Sequence, residues 1–123
     1  MGTGSLSNRS AADAVRLWLD RLGLQRGDGI GVFNPATDEL LAHVPDSGAK
    51  EAREAVDRAD AAAAHWRNLV AEERARLLSR FAALMLDEQD SLAALLTAEQ
   101  GKPLAEAAGE IRYAASFLRF AAG

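Results

Sequence analysis

Few side chains in this sequence are spaced to do chemistry, and the first candidates are Glu106 and Glu110. One helical turn apart, they could hold a general acid and a general base on one helix face. Acidic residues near a helix start are also favoured by the positive end of its dipole, and that structural role is the better reading of the pair. His43 and His65 are the only histidines, they fall on different elements, and with no cysteine and no obvious third ligand to make a zinc site, ordinary surface or packing roles are the expectation. The glycines of Gly27-Asp28-Gly29-Ile30-Gly31 invite a phosphate-loop reading. Their spacing is not GxGxxG, and the stretch neither follows a strand nor opens a helix, so a loop is expected. Arg26-Gly27-Asp28 spells an adhesion tripeptide that arises often by chance. No nucleophile elbow, Walker A loop or HExxH helix occurs. The runs Lys50 to Arg58 and Glu72 to Arg80 mix charge signs at helical spacing, as solvated helix faces do. On these residues alone no catalytic set is present.

Composition narrows the classes further. The 123 residues suit one domain or a piece of one, and 49% hydrophobic with 26% charged residues is ordinary for a globular protein. The formal charge of -4, with both signs interspersed, offers no continuous basic surface for a phosphate backbone, so nucleic acid is not an expected partner. No apolar stretch approaches the ~20 residues that span a bilayer, and Met1 to Arg9 lack the apolar core of a signal peptide. A cytoplasmic location without membrane partners is the expectation. Zero cysteines remove disulfides, thiolate metal sites and any thiol nucleophile. The apolar share is rich in alanine, which favours helix but buries little area, so the core is expected to be thin.

The elements follow from periodicity. Residues 1–29 read as a divergent or disordered lead-in with a short helix, on which Ala11, Ala14, Val15, Trp18, Leu19 and Leu22 recur at helical spacing before Gly23. Ile30 and Val32, the turn Asn34 to Glu39, and Leu40 to Val44 read as a β-hairpin, with Asp38 at the left-handed turn position. After Pro45, Asp46 or Ser47 can cap a helix with the stripe Ala52, Ala55, Val56, Ala59, Ala63 and Trp66, supported by a Glu54–Arg58 pair. A further helix from Ala71 carries Leu77, Leu78, Phe81, Leu84 and Met85, and after a break near Asp87 to Asp90 the apolar face continues through Leu92, Leu95 and Leu96 to about Glu99. Gly101 suits a helix end, and Pro103 the first turn of a last helix bearing Leu104, Ala107, Ala108, Ile111, Ala115 and Leu118. The fold expected is mostly α-helical, with an N-terminal β-hairpin and three to four amphipathic helices. A two-stranded hairpin is too small to bury every apolar helix face, so something outside the chain is expected to complete the fold.

Three segments, in order, resemble the opening of the aldehyde dehydrogenase superfamily: Val32-Phe33-Asn34-Pro35-Ala36-Thr37-Asp38-Glu39, then Trp66 with Glu73-Arg74-Ala75, then Thr97-Ala98-Glu99-Gln100-Gly101-Lys102-Pro103-Leu104. The continuation Ala105 to Leu118 is similar to the succinate-semialdehyde dehydrogenase branch. The turn departs from the family's usual NPATGE in having Asp38 for glycine, and aspartate also visits the left-handed region.

The resemblance implies that residues 30–123 are the truncated N-terminal part of a nucleotide-binding domain in an α/β parent. That parent would oxidise succinate semialdehyde or a similar aldehyde with NAD or NADP and would assemble as a homo-oligomer. In the family a cysteine thiolate attacks the aldehyde, hydride passes to the nicotinamide, and a glutamate-activated water releases the acid. This chain is expected to hold none of those catalytic residues, to bind neither dinucleotide by itself, and to have the remainder of the dehydrogenase as its partner. Two site expectations carry over. Backbone carbonyls of Val32 and Phe33 with the Glu99 side chain would hold a monovalent cation, Glu99 standing where aspartate is more familiar. Tyr113 and Phe117 would border the substrate tunnel, against the plainer alternative of core packing. The rival reading of the whole chain is a small non-enzymatic helical protein that binds a partner through exposed apolar faces.

Overall fold

A computed structural model describes residues 11–24 and 28–123. Of the divergent or disordered lead-in expected over residues 1–29, residues 1–10 and 25–27, and with the latter most of the Arg26-Gly27-Asp28 tripeptide, lie outside them. Helix α1 spans Ala11–Arg21 and closes on Gly23, whose φ of 65° is left-handed. There Leu24 N–H donates to Leu19 O at 2.9 Å and Gly23 N–H to Asp20 O at 3.2 Å, which together form a Schellman cap.

Strands β1 (Ile30–Phe33) and β2 (Leu40–Val44) pair antiparallel, with Ile30 opposite Val44 and Val32 opposite Ala42. Phe33 then faces Leu40, so Leu41 is an extra residue and the ladder carries a bulge between Val32 and Phe33. Asn34 organises the turn. Its Oδ1 accepts from Ala36 N–H at 2.9 Å and its carbonyl from Asp38 N–H at 2.8 Å, while Asp38 takes the expected left-handed φ of 57°.

Helix α2 covers Ala49–Asn68, and its cap is Gly48 rather than Asp46 or Ser47. Ser47 N–H donates to Pro45 O, which keeps these residues in a turn, and the Glu51 carboxylate accepts from Gly48 N–H at 2.9 Å. Glu54 pairs with Lys50 one turn back, at 3.8 Å, in place of the expected Arg58. The pair is exposed and worth little. No residue of α2 is buried, so its apolar stripe is uncovered.

Helices α3 (Ala71–Asp87) and α4 (Gln89–Gln100) are separated by Glu88 alone, where the sequence predicts a break. Arg74 Nη1 donates to Leu69 O at 2.6 Å and so satisfies a carbonyl past the end of α2. Helix α5 runs Leu104–Ala122, with Pro103 as its cap residue rather than inside its first turn. Between them Gly101 ends α4 at φ 76°, its N–H donating to Thr97 O at 2.8 Å. A Cβ on Gly101 would lie 3.0 Å from the Pro35 ring, so the α4–α5 corner rests directly on the hairpin turn.

Helices α3 and α4 both pack on α5, and α1 packs on α4. The buried apolar residues are Val15, Ala42, Ala82, Ala93, Ala94, Ala107 and Ala115; no large side chain among the described residues is fully enclosed. Small side chains let helix axes approach closely but remove little area from water. The single apolar face expected on α3 divides in two. Leu78, Ala82 and Met85 turn inward, while Leu77, Phe81 and Leu84 remain exposed, because the packing partner covers only one side of a wide apolar stripe. On α5 the expected residues Ala107, Ala108, Ile111, Ala115 and Leu118 are buried or half-buried, but Leu104 is exposed. Tyr113, Phe117 and Phe120 form an outward row at 66%, 57% and 88% exposure. The described fold is mostly helical with an N-terminal hairpin, as the pattern predicts. None of its helices is long and apolar enough to cross a membrane.

Two stability contrasts follow. Gly101→Ala should cost about 1–2 kcal/mol from left-handed strain and the Pro35 contact, whereas Gly109→Ala, inside α5 with its Cβ only 3.7 Å from the Arg112 side-chain end, should gain about 0.5–1 kcal/mol. Urea midpoints followed by circular dichroism compare the two directly. By the same assay the double substitution Tyr113→Ala/Phe117→Ala should cost about 1 kcal/mol or less, and Ile111→Ala about 2 kcal/mol. The reverse order would make the aromatics core residues.

Candidate functional site

The hairpin, the end of α1 and the C-terminal half of α4 enclose a pocket of about 140 Å³. Helix α1 and the residues after it supply Leu19, Leu22 and Leu24; the hairpin supplies Val32, Leu41, Ala42 and Val44; α4 supplies Leu95 and Glu99. Strand alternation and the bulge turn Val32 and Ala42 to this side, and one helical turn separates Leu95 from Glu99. Arg21 links the end of α1 to the junction of α3 and α4. Its Nη1 lies 2.9 Å from Glu88 Oε1, and its guanidinium sits 5.3 Å from the centre of the Trp18 ring. Glu88 in turn accepts from Ser91 Oγ at 2.9 Å. Nothing in the sequence pattern marks this latch, because Arg21 and Glu88 are 67 positions apart.

Of the three residues expected at a cation site, the pocket brings together Val32 and Glu99. Phe33 follows Val32 in the chain but is exposed and does not line the pocket. Glu99 is an exposed residue, so its carboxylate belongs to the pocket's rim. Among the described residues no group of three or more His, Cys, Asp or Glu could hold a metal ion. His43 lies on β2 and His65 on α2, on separate elements as expected.

Tyr113 and Phe117 lie on the outward face of α5, and their rings meet edge to face with centroids 4.7 Å apart. Of the two glutamates weighed as an acid–base pair, Glu110 is ion-paired with Lys102 and Glu106 sits in the first turn of α5, which fits the structural reading. The Lys102–Glu110 bridge folds the segment before α5 back onto that helix. Trp18 Nε1 and Thr97 Oγ1 are buried without a hydrogen-bond partner, on the two helices α1 and α4 that pack together.

Comparison with known proteins gives the arrangement its context. Residues 24–123 match the model of the aldehyde dehydrogenase family. The chain is 53% identical over 103 residues to a glutarate-semialdehyde dehydrogenase of Pseudomonas aeruginosa, a stretch that covers 84% of this chain and 21% of that relative. It is 52% identical over 103 residues to an NADP(+) succinate-semialdehyde dehydrogenase of Escherichia coli, with 84% and 21% covered. Among solved structures, an E. coli NADP-dependent enzyme matches with a TM-score of 0.74 at 54% identity, over 77% of this chain and 20% of that one. The chain therefore spans about one fifth of the length of the relatives it matches. The NPA turn and the Gly-Lys-Pro corner, which meet at Pro35 and Gly101, both lie within the matched residues, and this chain belongs to the aldehyde dehydrogenase family.

Proposed function

We propose that this chain is the N-terminal portion of an NAD(P)-dependent dehydrogenase that oxidises a semialdehyde, of the succinate or glutarate type, to the acid. The observation that carries this reading is the pair of outward apolar rows, Leu77, Phe81 and Leu84 on α3 and Tyr113, Phe117 and Phe120 on α5, in a chain whose buried core is almost entirely alanine. Exposed apolar rows on adjacent helices mark a surface meant to be covered. The remainder of a dehydrogenase polypeptide covers it here, and Tyr113 with Phe117 forms part of the wall of the aldehyde's approach. NAD or NADP, held by other parts of the parent, accepts the hydride. The chain has no cysteine, so the thiolate nucleophile of the family's chemistry belongs to those other parts as well.

In the same reading Val32, Phe33 and Glu99 hold a cation. Support comes from the bulge, which interrupts the ladder between the two residues whose carbonyls are needed, and from the Glu99 carboxylate on the rim of the pocket that Val32 lines. A homo-oligomeric, cytoplasmic parent completes the proposal, following the family's usual assembly.

Grafting residues 24–123 in place of the matching segment of the E. coli NADP(+) enzyme tests the function. The chimera should oxidise succinate semialdehyde with kcat/KM within about tenfold of the parent enzyme, a loss of no more than about 1.4 kcal/mol. Tyr113→Ala or Phe117→Ala in the chimera should lower kcat/KM for the aldehyde while leaving KM for NADP unchanged. A folded chimera without activity would overturn the assignment, and aromatic substitutions without kinetic effect would remove the wall role.

A further inference from the structure

We propose that Lys102 is a positioning residue for the dehydrogenase reaction: through its ion pair with Glu110 it sets the rotation of α5 about its own axis and so aims Tyr113 and Phe117 at the aldehyde's path. The inference rests on the proposed role of those two aromatics and adds the residue that orients them. Three observations carry it.

The first is the backbone at the corner between α4 and α5. Gly101 N–H donates to Thr97 O and so belongs to α4, while Pro103 O accepts from Glu106 N–H and Ala107 N–H, both at 3.0 Å, and belongs to α5. Pro103 has no N–H of its own to give. Among the described residues no backbone hydrogen bond joins the two helices across residues 101–103. The side-chain pair of Lys102 with Glu110 spans the corner instead.

The second is the packing of α5. Its buried residues are Ala107 and Ala115, at 0% and 1% exposure, and Ile111 and Leu118 are only partly covered. Methyl-sized contacts let helices approach closely, but without large interdigitating side chains they define rotation about the helix axis weakly. A tie from outside the apolar contact therefore has an orientation left to set.

The third is where the tie is fastened. Glu110, Tyr113 and Phe117 follow at i, i+3 and i+7, so the carboxylate and both rings share one face of α5. The rings meet edge to face with centroids 4.7 Å apart, so a displacement of one is felt by the other. The side chains of Lys102 and Glu110 are 25% and 48% exposed, and a pair this open to water adds little to stability. Its effect is on direction. A wall residue contributes to binding through the apolar area it lays against the ligand, and that area changes as the rings swing with the helix.

The test is steady-state kinetics and thermal unfolding of the full-length chimera that carries residues 24–123 in the E. coli NADP(+) enzyme. Lys102→Met and Glu110→Gln should each raise KM for succinate semialdehyde about threefold or more, with kcat and KM for NADP within about twofold and Tm within about 2 °C. Lys102→Arg, which keeps the charge, should return the aldehyde KM to that of the unsubstituted chimera. Lys50→Met, which breaks the exposed pair with Glu54 on α2, should change none of these quantities. An unchanged aldehyde KM in Lys102→Met, or no recovery in Lys102→Arg, would overturn the proposal. So would a fall in Tm with kcat and both KM values altered together, the mark of a merely structural bridge. An unsubstituted chimera without activity would instead overturn the functional reading on which the inference rests, and the inference with it.

Discussion

The contact on which the arrangement depends is that of Gly101 with the ring of Pro35. Gly101 has to be left-handed to end α4 and release the chain toward Pro103, and a side chain there would press on the proline at 3.0 Å. A glycine therefore satisfies two constraints at one point, the backbone conformation and the close approach of a second motif. The hairpin turn and the α4–α5 corner, 66 positions apart, become one joint. The Asn34 side chain holds the turn rigid on one side, and the Lys102–Glu110 pair holds the start of α5 on the other. Because the hairpin and α4 are fixed relative to each other there, Val32 and Ala42 on one element and Leu95 and Glu99 on the other face a common pocket.

The energetics away from that joint have a particular character. Of the seven apolar residues buried among the described residues six are alanine, and burying an alanine yields far less than the roughly 1.5–3 kcal/mol of a buried leucine or phenylalanine. The helices approach one another through small side chains and present their large ones outward. An exposed tyrosine and two phenylalanines on α5 and an uncovered α2 would be liabilities in a chain that functions alone. On the proposed reading they are the faces of a layer within a larger enzyme, and the relatives are about five times as long as this chain.

Much of this was legible in the residues. Asp38 at the left-handed turn position, Gly101 at the helix end and the break beside Glu88 follow from local backbone preferences, which sequence reports well. The inward face of α5 followed from its period, because that helix has partners on one side only. The α3 stripe did not resolve, since Leu77, Phe81 and Leu84 are as apolar as the residues that point inward, and periodicity cannot say which of two adjoining faces finds a partner within the chain. The cap of α2 was displaced to Gly48 because Glu51 reaches back to its N–H, a glutamate that serves the cap equally well without serine or aspartate. The Arg21–Glu88 latch and the pocket it walls were illegible, as both depend on how distant elements are docked rather than on any spacing. Family motifs, by contrast, carry the long-range information that local physics lacks, and Val32 and Glu99, distant in the sequence, line one pocket.

The central claim is that these residues are one layer of a dehydrogenase and work only within it. It is tested most directly by the intact mass of the native polypeptide, isolated from its source with an antibody against residues 48–100. The account predicts a polypeptide about five times the 13.1 kDa of this chain, in keeping with the share of its relatives that it spans. A native mass of 13.1 kDa would contradict it and identify a small helical protein whose apolar faces serve another partner.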